Sequence, residues 1–119
     1  MEFVQINGIG IHYKWNNNNK QHTFLFINSL GTDFRIWDSV VDVLKDFGNI
    51  LLFDKRGHGL SDVAENTSSL NDFADDVLAL LQYLSVSRCI PVGLSVGGMI
   101  AQILAHRIPK KVEKLVLCD

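Results

Sequence analysis

A serine between two glycines is the residue of this chain best suited to chemistry. Ser95 lies in the segment Gly93-Leu94-Ser95-Val96-Gly97, after an apolar run over Cys89–Val92 and before a helical pattern over Val96–His106. A strand, a tight turn and a helix in this order strain the serine backbone and lift its hydroxyl above the sheet. The segment predicts a nucleophilic serine with a positive φ. The alternative is a glycine-rich turn that needs only a small residue.

The rest of the chain predicts the sheet that would hold this serine. The predicted strands are Phe3–Ile6, Ile9–Trp15, Thr23–Ile27, Ile50–Phe53, the apolar run before Ser95, and Val112–Leu117. The predicted helices are Phe34–Phe47, one that follows a capping box at Ser69 and Asp72, and Val96–His106. The first two strands form a hairpin, and the later alternation of strands and helices predicts a parallel sheet covered on both faces. Ligands bind at the carboxyl ends of such strands.

Composition narrows the classes of partner. The chain has 119 residues, 47% hydrophobic and 20% charged, with a net charge of −2. We therefore expect one domain in a cytoplasmic protein that binds neither nucleic acid nor membranes. The acidic residues Asp72, Asp75 and Asp76 are interpreted as a solvated helix face rather than as a metal site. The two cysteines, Cys89 and Cys118, are expected to be reduced thiols.

Three motifs carry a resemblance to a known family. They are Asn28-Ser29-Leu30-Gly31-Thr32-Asp33 with Trp37 and Asp38, Asp54-Lys55-Arg56-Gly57-His58-Gly59-Leu60-Ser61, and Gly93 to Gly98. Together with the leading hairpin they resemble the N-terminal half of the α/β-hydrolase superfamily. The first motif is most similar to that of 3-oxoadipate enol-lactonases, which hydrolyse a lactone in bacterial degradation of aromatic compounds. The resemblance therefore implies an α/β-hydrolase fold and a small ester or lactone as substrate.

The same resemblance implies roles for individual residues. Ser95 would attack the lactone carbonyl, and the backbone N–H groups of Leu30 and Val96 would bind the oxyanion. Asn28, Ser29 and Gly31 would contact the substrate. The Asp54–Ser61 loop would be a scaffold in which Asp54 and Arg56 tie neighbouring loops together. No cofactor or metal is implied.

The family pattern also implies catalytic groups that residues 1–119 do not supply. Residues 1–119 would form the N-terminal part of one domain, without the cap and the C-terminal part that hold the triad acid and histidine. At about 1.5 Å per residue, His106 lies roughly 16 Å down its helix from Ser95. His12 and His22 are predicted away from the site, and His58 and Asp119 are interpreted as a loop residue and an unpaired acid. An esterase or perhydrolase of the same superfamily, or a non-catalytic truncated fragment, remains an alternative.

Three local features give structural expectations. Cys89 and Cys118 lie at opposite ends of neighbouring strands, about 16 Å apart, too far for a disulfide. Pro91 has no N–H, so it should interrupt the hydrogen-bond ladder of its strand. If the sixth strand is an edge, its apolar residues should favour self-association.

Overall fold

Six strands form one mixed sheet in the computed structural model, which describes residues 2–119. The strands are β1 (Glu2–Ile6), β2 (Ile9–Asn16), β3 (Thr23–Ile27), β4 (Asn49–Phe53), β5 (Ile90–Leu94) and β6 (Val116–Cys118). The helices are a 3₁₀ helix (Phe34–Trp37), α1 (Asp38–Leu44), α2 (Leu70–Tyr83) and α3 (Val96–Arg107). The strand order is β1-β2-β4-β3-β5-β6. The β1–β2 and β2–β4 pairs are antiparallel and the others parallel, which confirms the predicted architecture.

The central strands are buried on both faces because helices cover both sides of the sheet. Leu25 and Leu51 belong to the core cluster that includes α2 and α3 residues, whereas Phe26 and Leu52 pack with Trp37 in a cluster on the opposite face. Alternate residues of a strand point to opposite faces, so a fully buried strand must be apolar throughout. This is the physical reason for the continuous apolar runs in β3 and β4.

The prediction of one continuous helix over residues 34–47 is wrong. Its first turn is 3₁₀, with the Asp33 side chain accepting a hydrogen bond from the Arg35 N–H, and α1 ends at Leu44. A 3₁₀ turn has about three residues per turn instead of 3.6, so the apolar stripe rotates between the two segments. Trp37 is buried, but Ile36 and Val40 remain 40% and 38% exposed.

The helix α2 begins at the predicted capping box. Ser69 accepts a hydrogen bond from the Asp72 N–H, and the Asp72 carboxylate accepts one from the Ser69 N–H. The interpretation of its acidic residues as a solvated face is wrong for Asp76, which is buried and binds Arg56 through two hydrogen bonds of 2.6 and 2.8 Å. Its neighbour Asp75 is exposed as predicted and pairs with Arg107. Asp76 is buried with Arg56 as its partner, and Arg56 lies outside α2. The sequence pattern of the helix therefore could not show which aspartate is buried.

Pro91 interrupts the pairing of β5 with β6, as predicted. Cys89 forms an isolated bridge with Val112, and pairing resumes at Val92 with Val116, so the partner segment holds one extra residue. The N–H groups of residues 89 and 95 donate toward this side, which is the side where Pro91 has none. The predicted strand over residues 112–117 is therefore shortened to β6.

Both cysteines are free, in agreement with the prediction. Cys118 pairs with Leu94, whereas Cys89 lies at the other end of the strand. Burial raises the pKa of the Cys89 thiol to about 12, so it is an unreactive core group. Within residues 2–119, every helix is too short or too polar to cross a lipid bilayer.

We predict that the Arg56–Asp76 pair contributes strongly to stability. Arg56→Met should lower the free energy of unfolding by about 3–5 kcal/mol, because it leaves the buried Asp76 carboxylate without its charged partner, with only the neutral Asn7 amide bonded to it. Arg107→Met is the matched control, since it removes the exposed partner of the adjacent Asp75 and should cost less than about 1 kcal/mol. Urea denaturation of both variants measures the difference. Equal losses would contradict the prediction.

We also predict that a polypeptide of residues 1–119 self-associates through β6. Within residues 2–119 this strand lies at the edge of the sheet, and its Leu117 side chain is 52% exposed. Unpaired backbone groups beside apolar side chains are a template for pairing with another chain. Size-exclusion chromatography should show dimers or aggregates, and Leu117→Lys should shift them toward monomer. A clean monomer in the unsubstituted polypeptide would be the opposite result.

Candidate active site

Ser95 has the strained backbone that was predicted for a nucleophilic serine. Its φ is 56° and its ψ is −115°, at the junction between β5 and α3. A non-glycine residue with positive φ costs of order 1–3 kcal/mol and persists only where its surroundings hold it. Here the Ser95 N–H donates to the Cys118 carbonyl, and its own carbonyl accepts from the Gly98 and Met99 N–H groups. Ser95 is exposed, so its hydroxyl is open to a ligand.

Two glycines allow the backbone around Ser95 to pack this closely. A Cβ atom on Gly93 would collide with the backbone of Gly97 and Gly98. A Cβ atom on Gly97 would collide with the backbone of Ile27, the last residue of β3. The first turn of α3 therefore lies against the end of β3, next to the loop that contains Leu30.

That loop, residues 28–32, is held by its own side chains. The Asn28 amide donates to the Thr32 carbonyl at 2.7 Å and to the Thr32 hydroxyl at 3.0 Å, and this hydroxyl donates to the Ser29 carbonyl at 2.8 Å. Gly31 has a φ of 75°, which allows the tight turn. The Leu30 side chain is 64% exposed, so the apex of the loop faces solvent.

The predicted substrate contacts differ in accessibility. Asn28 is fully buried, and its amide is used within the loop, so the structure gives it a part in shaping the loop. Ser29 is half-buried and Gly31 is exposed. Contacts of all three with a substrate stay predictions, as do the roles of the Leu30 and Val96 N–H groups.

A residue just after the end of β4, Lys55, holds the same loop by hydrogen bonds. The buried Lys55 donates from Nζ to the carbonyls of Asn28 at 2.9 Å and Ser29 at 3.0 Å. Burial lowers the pKa of Lys55 to about 8, and the charge of the adjacent Asp54 opposes that shift. The sequence analysis missed Lys55, because a lysine in a loop motif is ordinarily exposed.

Asp54 joins three further segments, which confirms its predicted scaffold role. Its carboxylate accepts hydrogen bonds from the N–H groups of Phe34 and Leu60, both at 3.0 Å. Its Oδ2 also lies 2.8 Å from His12 Nδ1. Arg56, two residues after Asp54, extends the scaffold to α2 through its hydrogen bond to Asp76.

The sequence predicts His12 on the outer hairpin, away from the site of Ser95, and within residues 2–119 its ring nitrogen bonds Asp54 and not Ser95. In the structure β2 pairs with β4 beside Asp54, and the His12 ring lies between Phe3 and Phe34 at centroid distances of 5.0 and 4.9 Å. His12 and Asp54 also line a cavity of about 350 Å³, of which Ser95 is not a lining residue. The pairing of β2 with β4 is a long-range feature that no local pattern in the hairpin could have shown.

The other histidines do not complete a catalytic pair with Ser95. His22 contacts Glu113, and His58 Nδ1 lies 3.0 Å from the carbonyl oxygen of Arg56. His106 is exposed in the last turn of α3. Within residues 2–119, no histidine forms a hydrogen bond with Ser95.

A family model described as alpha/beta hydrolase fold matches residues 22–119. The chain belongs to the alpha/beta hydrolase family. Its β5–Ser95–α3 junction has the same order of strand, tight turn and helix as the nucleophile turn of that fold.

Similar proteins within this alpha/beta hydrolase family include enol-lactonases. The chain is 43% identical over 77 residues to 3-oxoadipate enol-lactonase 1 of Acinetobacter baylyi, covering 65% of this chain and 29% of that protein. Among solved structures, a hydrolase from Pseudomonas aeruginosa has a TM-score of 0.92 at 35% identity, over 98% of this chain and 44% of that one. The enol-lactonase from Burkholderia xenovorans has a TM-score of 0.90 at 30% identity, over 96% and 45%. This chain thus spans less than half the length of these relatives.

We predict that the site requires the absence of a side chain at Gly97, whereas it does not require the absence of a side chain at Gly98. A methyl group at Gly97 meets rigid backbone of Ile27, so Gly97→Ala should cost several kcal/mol of stability, roughly the loss expected from overpacking or more. At Gly98 the nearest atoms lie at 3.5 and 3.7 Å, an ordinary contact. Gly98→Ala should therefore be neutral or stabilising by up to about 1 kcal/mol.

Thermal unfolding of the two variants, followed by circular dichroism, makes this comparison. Both substitutions add one methyl group to the same helical turn, so helix propensity is matched. If Gly97→Ala is as stable as Gly98→Ala, the close approach of α3 to β3 is refuted.

Proposed function

We propose that this chain supplies the nucleophile and the oxyanion-binding groups of a carboxylic ester hydrolase that acts on lactones. The observation that carries the proposal is the positive φ of the exposed Ser95 at the β5–α3 junction. A strained, exposed serine before the first turn of a helix is the arrangement that presents Oγ to a carbonyl carbon.

The proposed reaction begins when Ser95 Oγ attacks the carbonyl carbon of the lactone. The carbonyl oxygen becomes an oxyanion, which accepts hydrogen bonds from the N–H groups of Leu30 and Val96. The ring C–O bond then breaks to give an acyl-enzyme, which water hydrolyses to regenerate the serine. No cofactor takes part in these steps.

A serine hydroxyl needs a general base to become a good nucleophile. Because no histidine within residues 2–119 contacts Ser95, we propose that the base and its orienting acid come from outside this sequence. The resemblance to longer family members supports this source. By itself, a polypeptide of residues 1–119 should therefore be inactive.

We further propose 3-oxoadipate enol-lactone as the substrate, in aromatic catabolism in the cytoplasm. Two similar proteins are enol-lactonases, and the loop over residues 28–33 resembles theirs. In this reading Ser29 and Gly31, at the accessible part of the loop, contact the substrate, while Asn28 maintains the loop shape.

We predict that Ser95→Ala in the complete protein lowers kcat for lactone and p-nitrophenyl ester hydrolysis by at least about 1,000-fold, because no other group can form the acyl-enzyme. Ser87→Ala, at an exposed serine before β5, is the control and should leave activity unchanged. A fluorophosphonate probe should add mass to the peptide containing Ser95 and to no peptide of the alanine variant.

Two results would contradict the proposal in different ways. Undiminished hydrolysis by the Ser95→Ala variant would remove the serine from the mechanism. Hydrolysis of p-nitrophenyl esters without hydrolysis of the enol-lactone would retain the serine mechanism and exclude the proposed substrate in favour of a general esterase.

A further inference from the structure

One peptide group of the loop over residues 28–32 is held at its carbonyl end. The Ser29 carbonyl and the Leu30 N–H belong to the same peptide unit, and no peptide bond among residues 2–119 is cis. In a trans peptide these two groups point in opposite directions. Whatever fixes the Ser29 carbonyl therefore also fixes the direction of the Leu30 N–H.

The Ser29 carbonyl accepts two hydrogen bonds. One comes from Lys55 Nζ at 3.0 Å, and the other from the Thr32 hydroxyl at 2.8 Å. The same ammonium also bonds the Asn28 carbonyl at 2.9 Å, so it spans two consecutive peptide units. The peptide that precedes Leu30 has little freedom to rotate.

The charge at Lys55 is costly to bury. The residue is 1% exposed, and within residues 2–119 it forms no salt bridge. Its charged neighbour Asp54 is already bonded to Phe34, Leu60 and His12. A buried ammonium satisfied only by carbonyl oxygens is a net cost to folding. A neutral donor could hold the loop at a lower cost in free energy, so the charge itself requires a reason.

We propose that Lys55 is a positioning residue of the oxyanion hole, whose ammonium orients and polarises the Ser29–Leu30 peptide and so strengthens its N–H as a donor. This inference rests on the proposed function of Ser95. A charged donor on a carbonyl gives a stronger hydrogen bond than a neutral one, and hydrogen bonds in a chain polarise one another. Lys55 acts through the peptide and does not touch the substrate.

The pH dependence of such a device has a definite sign. Because the pKa of Lys55 is lowered to about 8, its ammonium loses a proton as the pH rises through 8. The neutral amine keeps two hydrogens and can still bond both carbonyls, but the polarising charge is gone. Activity should therefore fall above pH 8. In contrast, stability should rise between pH 8 and the ordinary pKa of 10.5, because the unfolded chain then binds more protons than the folded one.

The direct test follows the carbonyl that Lys55 contacts. The ¹³C chemical shifts of the Ser29 and Asn28 carbonyls, measured in the complete protein between pH 6 and 10, should move with a midpoint near 8. In Lys55→Met, which keeps the length of the side chain, both titrations should disappear. In Thr32→Val, which removes the neutral donor to the Ser29 carbonyl and an acceptor of the Asn28 amide but keeps Lys55, they should persist.

Kinetics of the same variants test the consequence. Lys55→Met should lower kcat for ester hydrolysis about 10-fold, less than the loss of a whole oxyanion donor, with KM changed less than about 2-fold. It should also remove the fall in kcat above pH 8. Lys45→Met, at an exposed lysine of the α1 terminus, is the matched control and should behave like the unsubstituted protein.

The outcomes separate this inference from the proposed function. If Ser95→Ala abolishes activity but Lys55→Met leaves kcat within 2-fold, the positioning role of Lys55 is refuted and the serine mechanism stands. Ser29 and Asn28 carbonyl shifts that are the same in Lys55→Met as in the unsubstituted protein also refute it. If Ser95→Ala is fully active, the proposed function fails first.

Discussion

The close approach of Gly97 to the backbone of Ile27 is the constraint on which the candidate site depends. It places the first turn of α3 against the end of β3. Ser95 and the loop over residues 28–32 therefore lie at the same carboxyl ends of the central strands. Neither part would be useful alone, because a nucleophile needs a place for the charge that its attack creates. The glycine contributes by what it lacks, and a single methyl group would separate the two parts.

The residues of the site depart from what stability alone would select. Ser95 has a backbone conformation that costs of order 1–3 kcal/mol. Lys55 keeps an ammonium under the neighbouring loop, where burial lowers its pKa to about 8. Both costs fall within one small region, whereas the central strands and α2 follow the simple rules of apolar burial and capping. Local rules broken together at one place are typical of functional sites.

The sequence was sufficient to predict the features that depend on neighbours in the chain. The apolar run of β3, the capping box of α2 and the glycines around Ser95 are short patterns with a direct physical reading, and the structure has them where they were expected. The effect of Pro91 was equally local, because a missing N–H interrupts any ladder. The 3₁₀ turn before α1 was missed, since its apolar spacing fits a continuous helix equally well.

The other features that could not be predicted depend on partners far along the chain. Asp54, Lys55 and Arg56 are consecutive, yet each binds a different part of the structure. Asp54 binds β2 and the start of the 3₁₀ helix, Lys55 binds the loop after β3, and Arg56 binds helix α2. Nothing in the motif states which of the three is buried or what each one meets. Three adjacent charged residues at the end of β4 thus fix the loops around the site to one another, and the burial of Asp54 and Lys55 is worth its cost only if those loops must keep one geometry. A site that stabilises a developing negative charge with backbone N–H groups has that requirement, because donors that must reorient during the reaction lose much of their effect.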